Sequence, residues 1–163
     1  MKKLFLLVVL WLSLLTGIQA QFPKAIFPGD YPDPSILRDG KDYYMTHSPF
    51  CYAPGFLIWH STDLMHWEPV CRALPEYEGS AMAPDLLKYQ GRYYIYYPTS
   101  TGENYVVYAD DIRGPWSKPV KLDVKGIDPG HVVGEDGKRY LFTNNGWITP
   151  LSDDGLKVTG KSR

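Results

Sequence analysis

Beyond residue 30 the chain is a series of short apolar and aromatic runs, each bounded by Gly, Asp or Pro. None keeps a 3.6-residue period long enough for an amphipathic helix, so the pattern predicts strands. The runs follow one order. Residues 35–38 lead to an Asp39-Gly40 turn and an aromatic run at 42–46. After a loop come 56–60, an acidic turn at Thr62-Asp63-Leu64, and 67–70. The order returns as 86–89, Gln90-Gly91, 92–97, 105–109, Asp110-Asp111-Ile112 and 117–120. It returns again as 131–133, Asp136-Gly137, 139–143, 147–151, Asp153-Asp154 and 157–159. Asp-Gly between two apolar runs is a strong hairpin signal.

Gly40, Gly91 and Gly137 are 51 and 46 residues apart; Trp67 and Trp116, each after an acidic turn, are 49 apart. A period near that length, with four short antiparallel strands per unit, predicts an all-β chain folded as β-propeller blades. The blades fall at about 30–75, 83–122 and 126–160. Three is fewer than the roughly four to eight blades with which propellers close. The chain is therefore expected to be about three blades of a larger ring. One face of the first blade and one of the third should then be apolar and uncovered.

The N-terminus follows a different pattern. Lys2 and Lys3 precede an apolar run at 4–15, and Gly17-Ile18-Gln19-Ala20 offers a cleavage point before Gln21. This reads as a secretory signal peptide over 1–20, with the mature domain at 21–163. An uncleaved membrane anchor is the competing reading. Cleavage implies a periplasmic or extracellular protein that has left the membrane. Taking Lys2 and Lys3 from the 17 basic residues leaves 15 against 18 acidic ones, a net charge of −3. No basic stripe points to nucleic acid. Cys51 and Cys71 flank one predicted hairpin, and both a bridge and two free thiols are open. The 13 tyrosines and five tryptophans suit strand packing, with some rings available to stack on sugars.

The chemistry sits at the heads of the repeats. Asp33 in Tyr31-Pro32-Asp33-Pro34-Ser35 and Asp128 in Ile127-Asp128-Pro129 hold one slot, just before the innermost strand of blades one and three. In a propeller such slots face the central axis. Two carboxylates facing one pocket are the equipment of glycoside hydrolysis, although Asp-Pro is also an ordinary turn dipeptide. Asp85, one position along after Pro84, either caps the strand or lines the pocket. His131, three residues after Asp128, is placed to bond a sugar hydroxyl or a water, and His47 ends the second strand. His60 and His66 surround the outer turn of blade one and read as packing or surface groups.

The run Gly29-Asp30-Tyr31-Pro32-Asp33-Pro34-Ser35 with Asp42-Tyr43-Tyr44 resembles the opening of glycoside hydrolase family 43. The similarity continues through Pro54-Gly55, the segment from Ile58 to Trp67, Ala83-Pro84-Asp85-Leu86 and Ile127-Asp128-Pro129, nearly all of 26–160. The resemblance implies a five-bladed propeller of inverting enzymes acting on arabinose- and xylose-containing glycans, with a plant-type oligo- or polysaccharide as substrate. It implies that Asp33 is the general base, that Asp128 raises and orients the acid, and that Phe50 walls the sugar subsite. Met82 stands where many members have Trp. The family's general acid is a Glu on the fourth blade. Glu76, Glu78, Glu103 and Glu135 all lie elsewhere, so the chain is expected to stop short of its acid. Calcium occupies the axial channel of some relatives, but no ligand set here supports it, and no cofactor is expected. Two other readings compete. One is a glycan-binding or scaffold propeller without catalysis. The other is a retaining fructan hydrolase, whose opening motif Tyr31-Pro32-Asp33-Pro34-Ser35 does not fit.

Overall fold

The computed structural model describes residues 25–77 and 79–163; the expected signal peptide and Glu78 lie outside them. Three antiparallel sheets follow one another. The first orders β1 (Ser35–Asp39), β2 (Asp42–Thr46), β3 (Gly55–Ser61) and β4 (Glu68–Leu74) as neighbours. The second does the same with β5 (Asp85–Tyr89), β6 (Arg92–Pro98), β7 (Asn104–Ala109) and β8 (Val120–Leu122). The third has β9 (Gly130–Val133), β10 (Arg139–Thr143) and β11 (Trp147–Pro150). Its outer edge is finished without a regular strand. A bridge joins Leu151 to Val158, and Ile148 and Arg163 exchange backbone hydrogen bonds of 2.9 and 3.0 Å. The expected strand at 157–159 is thus present only as a single bridge.

Each first hairpin closes on a glycine with positive φ: Gly40 at +64°, Gly91 at +85° and Gly137 at +74°. Glycine adopts that region without a Cβ clash, which is why it fixes the repeat. The acidic outer turns recur in structure as well. The Trp67 indole donates to the Leu64 carbonyl at 3.1 Å, and the Trp116 indole to the Ile112 carbonyl at 3.2 Å.

Alternation along β6 builds both cores. Tyr93, Ile95 and Tyr97 point to blade one and pack with Phe56, Ile58, Leu74 and Leu86. Tyr94 and Tyr96 point to blade three and pack with Val106, Leu141 and Leu151. Successive side chains leave a strand on opposite faces, so one tyrosine-rich strand serves two interfaces. Fully burying a side chain of this kind contributes roughly 1.5–3 kcal/mol. At the blade one hairpin, Asp39 Oδ2 accepts from Lys88 Nζ and from the Tyr93 hydroxyl, both at 2.6 Å, which ties the turn to blade two.

The free face of blade one is partly covered, contrary to the expectation. Phe27 packs edge-on against Trp59, with ring centroids 4.5 Å apart, and Tyr31 packs against His47 at 5.0 Å. The segment ahead of the first strand is folded back over that face. Phe142, on the blade three face opposite buried Leu141, stays 40 % exposed.

Candidate active site

The residue before each blade-head proline has left-handed backbone: Asp33 at φ 52°, Ala83 at 34° and Asp128 at 57°. Aspartate tolerates that region better than most residues. The slot expected to carry chemistry is therefore one repeated conformation, and blade two fills it with Ala83, which has no carboxylate. Asp85 is two positions on. It starts β5 as Ser35 starts β1 and Gly130 starts β9.

Asp33 is exposed, but its carboxylate is held. The Ser48 hydroxyl donates to Asp33 Oδ2 at 2.6 Å and accepts the Ala83 N–H at 2.6 Å. The Ser48 N–H also donates to the Pro32 carbonyl at 2.9 Å. Two residues on, Phe50 pairs with Ala81 through backbone bonds of 2.9 and 3.2 Å, and the Met82 N–H reaches the Pro98 carbonyl at 3.0 Å. The fold thus gathers Asp33, Phe50 and Met82 around Ser48. A cleft of about 390 Å³ opens beside them, lined in part by Tyr31, His47, Ser48, Phe50, Trp59 and Arg72. Neither Asp33 nor Asp128 lines it. Burial holds the His47 imidazole below its ordinary range.

Asp128 is also exposed, and among the described residues its carboxylate has no hydrogen-bond or ion-pair partner. Its backbone is fixed instead. Buried Asn104, from blade two, donates Nδ2 to the Val124 carbonyl at 3.1 Å and to the Gly126 carbonyl at 2.8 Å. Asn144 accepts the Ile127 N–H at 2.9 Å on its side-chain oxygen and donates its own N–H back to Ile127 at 2.8 Å. Gly126, at φ +84°, leaves the space that Thr143 Oγ1 and Asn144 Oδ1 occupy.

Asp85 and His131 meet between blades two and three. The His131 N–H donates to Asp85 Oδ2 at 2.7 Å. Burial pushes the Asp85 carboxyl up to about 6, opposed by that hydrogen bond. Burial, then the Arg139 guanidinium, brings the His131 imidazole down to about 4. Arg139 Nε donates to His131 Nε2 at 2.9 Å, so the ring proton of neutral His131 sits on Nδ1. Arg139 is 1 % exposed and lies 4.4 Å from the Tyr89 ring centre and 4.5 Å from that of Tyr94. Its remaining donors reach the Tyr96 hydroxyl and the Asp153 carbonyl, both at 3.1 Å. The His131 ring is thereby anchored in an inter-blade cluster. Cys51 and Cys71 are free thiols, and Cys71 Sγ donates to the Ile112 carbonyl at 3.2 Å. Among the described residues no group of three or more His, Cys, Asp or Glu is placed to hold a metal ion.

The sequence pattern of the glycosyl hydrolases family 43 matches residues 22–163. The chain belongs to glycoside hydrolase family 43. It is 35 % identical over 163 residues to a xylosidase/arabinosidase of Butyrivibrio fibrisolvens, a match covering 84 % of this chain and 32 % of that protein. It is 34 % identical over 157 residues to a non-reducing end α-L-arabinofuranosidase of Bacteroides ovatus, covering 87 % and 30 %. The crystal structure of a family 43 protein from Bacillus licheniformis superposes with a TM-score of 0.76 at 32 % identity, covering 87 % of this chain and 32 % of that one. A xylan β-1,4-xylosidase from Bacillus halodurans superposes at 0.74 with 32 % identity, covering 88 % and 33 %. The family 43 chain spans about a third of the length of the relatives it matches. Its three sheets form part of a five-bladed β-propeller.

Ser48, Asn104 and Arg139 escaped the sequence reading. The signal for Ser48 was its place at the end of the second strand, where blade two carries Thr99 and blade three Asn145, all short polar residues.

Proposed function

We propose that this family 43 chain forms the first three blades of an exported, inverting glycosidase that releases xylose or arabinose units from plant-type polysaccharide. The observation that carries this is the pair of aspartates. Asp33 and Asp128 take the same left-handed slot ahead of a proline in blades one and three, one carboxylate held by Ser48 and the other, among the described residues, without a partner. A base has to be oriented before water arrives, and Asp33 is. A group that acts on a second carboxyl by its charge needs a free carboxylate, and Asp128 has one. In this reading Asp33 takes a proton from the water that attacks the anomeric carbon. Asp128 raises the pKa of a glutamic acid that protonates the leaving oxygen. That acid is supplied by propeller beyond these three blades, in keeping with relatives about three times as long. Phe50 and Met82, joined to the base through Ser48, wall the sugar.

The relatives named as xylosidase/arabinosidase support the substrate class, and the Lys2-Lys3 and apolar opening supports export. The test is hydrolysis of aryl β-xylosides and α-arabinofuranosides by the enzyme with its propeller complete, following the anomer first released by NMR. Release with inverted configuration is expected. Sugar binding without turnover points to the non-catalytic propeller, and retained configuration rules out Asp33 as base to water.

A further inference from the structure

We infer that Ser48 is a positioning residue for Asp33 and couples the base to the wall of the sugar subsite. The inference rests on the reading of Asp33 as general base. Ser48 is 3 % exposed, so its hydroxyl has no bulk water to turn to. A serine hydroxyl has one proton and two lone pairs. The Ala83 N–H takes a lone pair at 2.6 Å, and the proton goes to Asp33 Oδ2 at 2.6 Å. The same residue grips the Asp33 loop a second time, through its N–H to the Pro32 carbonyl. A buried donor has no better acceptor than an ionised carboxylate, and bonds to charged partners are the strong ones. Asp33 is therefore held through one oxygen. Among the described residues Oδ1 makes no hydrogen bond, which leaves it for the attacking water.

The relay has a second consequence. Ala83 follows Met82, and Met82 is itself fixed to Pro98. If Met82 walls the sugar as proposed, a sugar that presses on it moves the Ala83 amide, and through Ser48 the carboxylate. The serine thus sets the angle of the base from the position of the wall. Misplacing a catalytic group by about 1 Å can cost on the order of 100-fold in rate, so the loss should appear in kcat and spare substrate binding.

The experiment compares Ser48→Ala, Ser48→Thr, Asp33→Asn and the double variant Ser48→Ala/Asp33→Asn in the complete enzyme, on an activated aryl glycoside, with thermal melts alongside. Ser48→Ala is expected to lower kcat by about 10- to 100-fold with KM within about threefold, and Ser48→Thr, which keeps the hydroxyl, to recover most of the rate. In the Asp33→Asn background, Ser48→Ala should cost less than about twofold of the residual rate, because a group that acts through Asp33 has nothing left to position. A wild-type kcat in Ser48→Ala overturns the inference. So does an equal loss in both backgrounds, which is the mark of a merely structural serine. Near-normal turnover of Asp33→Asn overturns the assignment of the base itself, a separate result.

Discussion

The His131 N–H donates to Asp85 Oδ2 across 2.7 Å, from the first strand of blade three to the first strand of blade two. The Leu86 N–H makes the equivalent bond to Ser35 Oγ at 2.9 Å, from blade two to blade one. A side chain at the start of each inner strand thus stitches the next blade in register, until Gly130, which has none to offer. The stitch gives Asp85 a role at the head of its strand. Its charge is a cost of burial, and its oxygen is what the fold requires.

Asp85 and His131 should therefore oppose one another in pH. The Asp85 carboxyl, raised to about 6, favours the fold at low pH, and this contribution is lost as pH rises through about 6. The His131 imidazole, lowered to about 4, favours the fold above its unfolded range near 6.5, and this contribution is lost as pH falls through about 4. Between pH 4 and 6 the two slopes nearly cancel. Asp85→Asn keeps an acceptor for His131 and should make the protein more sensitive to acid than wild type. His131→Gln keeps an acceptor for Arg139 and should make it more sensitive to rising pH. Each difference should reach about 1–3 kcal/mol, given roughly 1.4 kcal/mol per unit and some screening by water. Urea melts from pH 4 to 7 measure it, and parallel profiles for both variants and wild type would sink the idea.

Arg139 should be the costliest polar side chain to remove from the space between blades two and three. Among the described residues no carboxylate lies within ion-pair distance of it, and it relies on two tyrosine rings, His131, Tyr96 and the Asp153 carbonyl. Arg139→Met keeps bulk but leaves His131 Nε2 without its donor. A loss of about 2–4 kcal/mol is expected. Gly155→Ala should cost a similar amount by another route. Gly155 sits at φ +72°, and a Cβ there would overlap the Tyr96 hydroxyl and the Arg139 guanidinium. Stability changes below about 0.5 kcal/mol in both variants, the range of an ordinary surface change, would show that the cluster does not hold the blades together.

The strands, the glycine turns and the recurrence of Asp33 and Asp128 could be read from the sequence because they depend on local chemistry repeated at a fixed period. What could not be read depends on contacts across blades. Ser48 meets Asp33 fifteen residues away, and Arg139 meets Tyr96 forty-three away, so neither shows in a pattern of near neighbours. The fourth strand of blade two begins at Val120, later than the Ser117 start that the repeat implies. Ser117 is occupied instead with Tyr108, donating its N–H to the Tyr108 carbonyl at 2.8 Å and accepting the Tyr108 N–H at 3.0 Å. Phe27 lies before the first strand, where hydrophobic alternation has no period to signal that it covers Trp59.

Replacing either proposed catalytic carboxylate should separate its role from that of the fold. Asp33→Asn leaves the Ser48 hydroxyl an oxygen to donate to, so the structure should persist, but an amide takes no proton from water. Turnover should fall by at least about 10²–10⁴-fold in the complete enzyme. Asp128→Asn removes a charge without removing a hydrogen bond. It should lower kcat and also move the limb of the pH–rate profile that reports the general acid. Steady-state rates on aryl xylosides and arabinosides across pH decide the matter, and near-wild-type values in both variants would exclude these roles.

Export with cleavage near Ala20 is expected from the Lys2-Lys3 pair and the apolar run that follows. N-terminal sequencing of protein recovered from the periplasm or medium should read Gln21-Phe22-Pro23. Cytoplasmic protein that still begins at Met1 would refute it.

Residues 21–163 expressed alone should associate through blade three. The face of blade one is partly sealed by Phe27 and Tyr31, whereas Phe142 is 40 % exposed and Ile148 pairs with it on the same face. Each blade needs a neighbour on both sides to bury its apolar faces, and an open apolar face draws a partner. A second copy is the only partner present in a purified sample. Phe142→Asp should then shift the segment toward monomer in sedimentation with little change in its thermal transition, since that side chain belongs to neither buried core. Ile36→Asp, on blade one and 53 % exposed, should have the smaller effect, because Phe27 already covers Trp59 on that blade and leaves less apolar face open. Equal effects of the two substitutions, or a monomeric parent, would show that blade three is covered some other way.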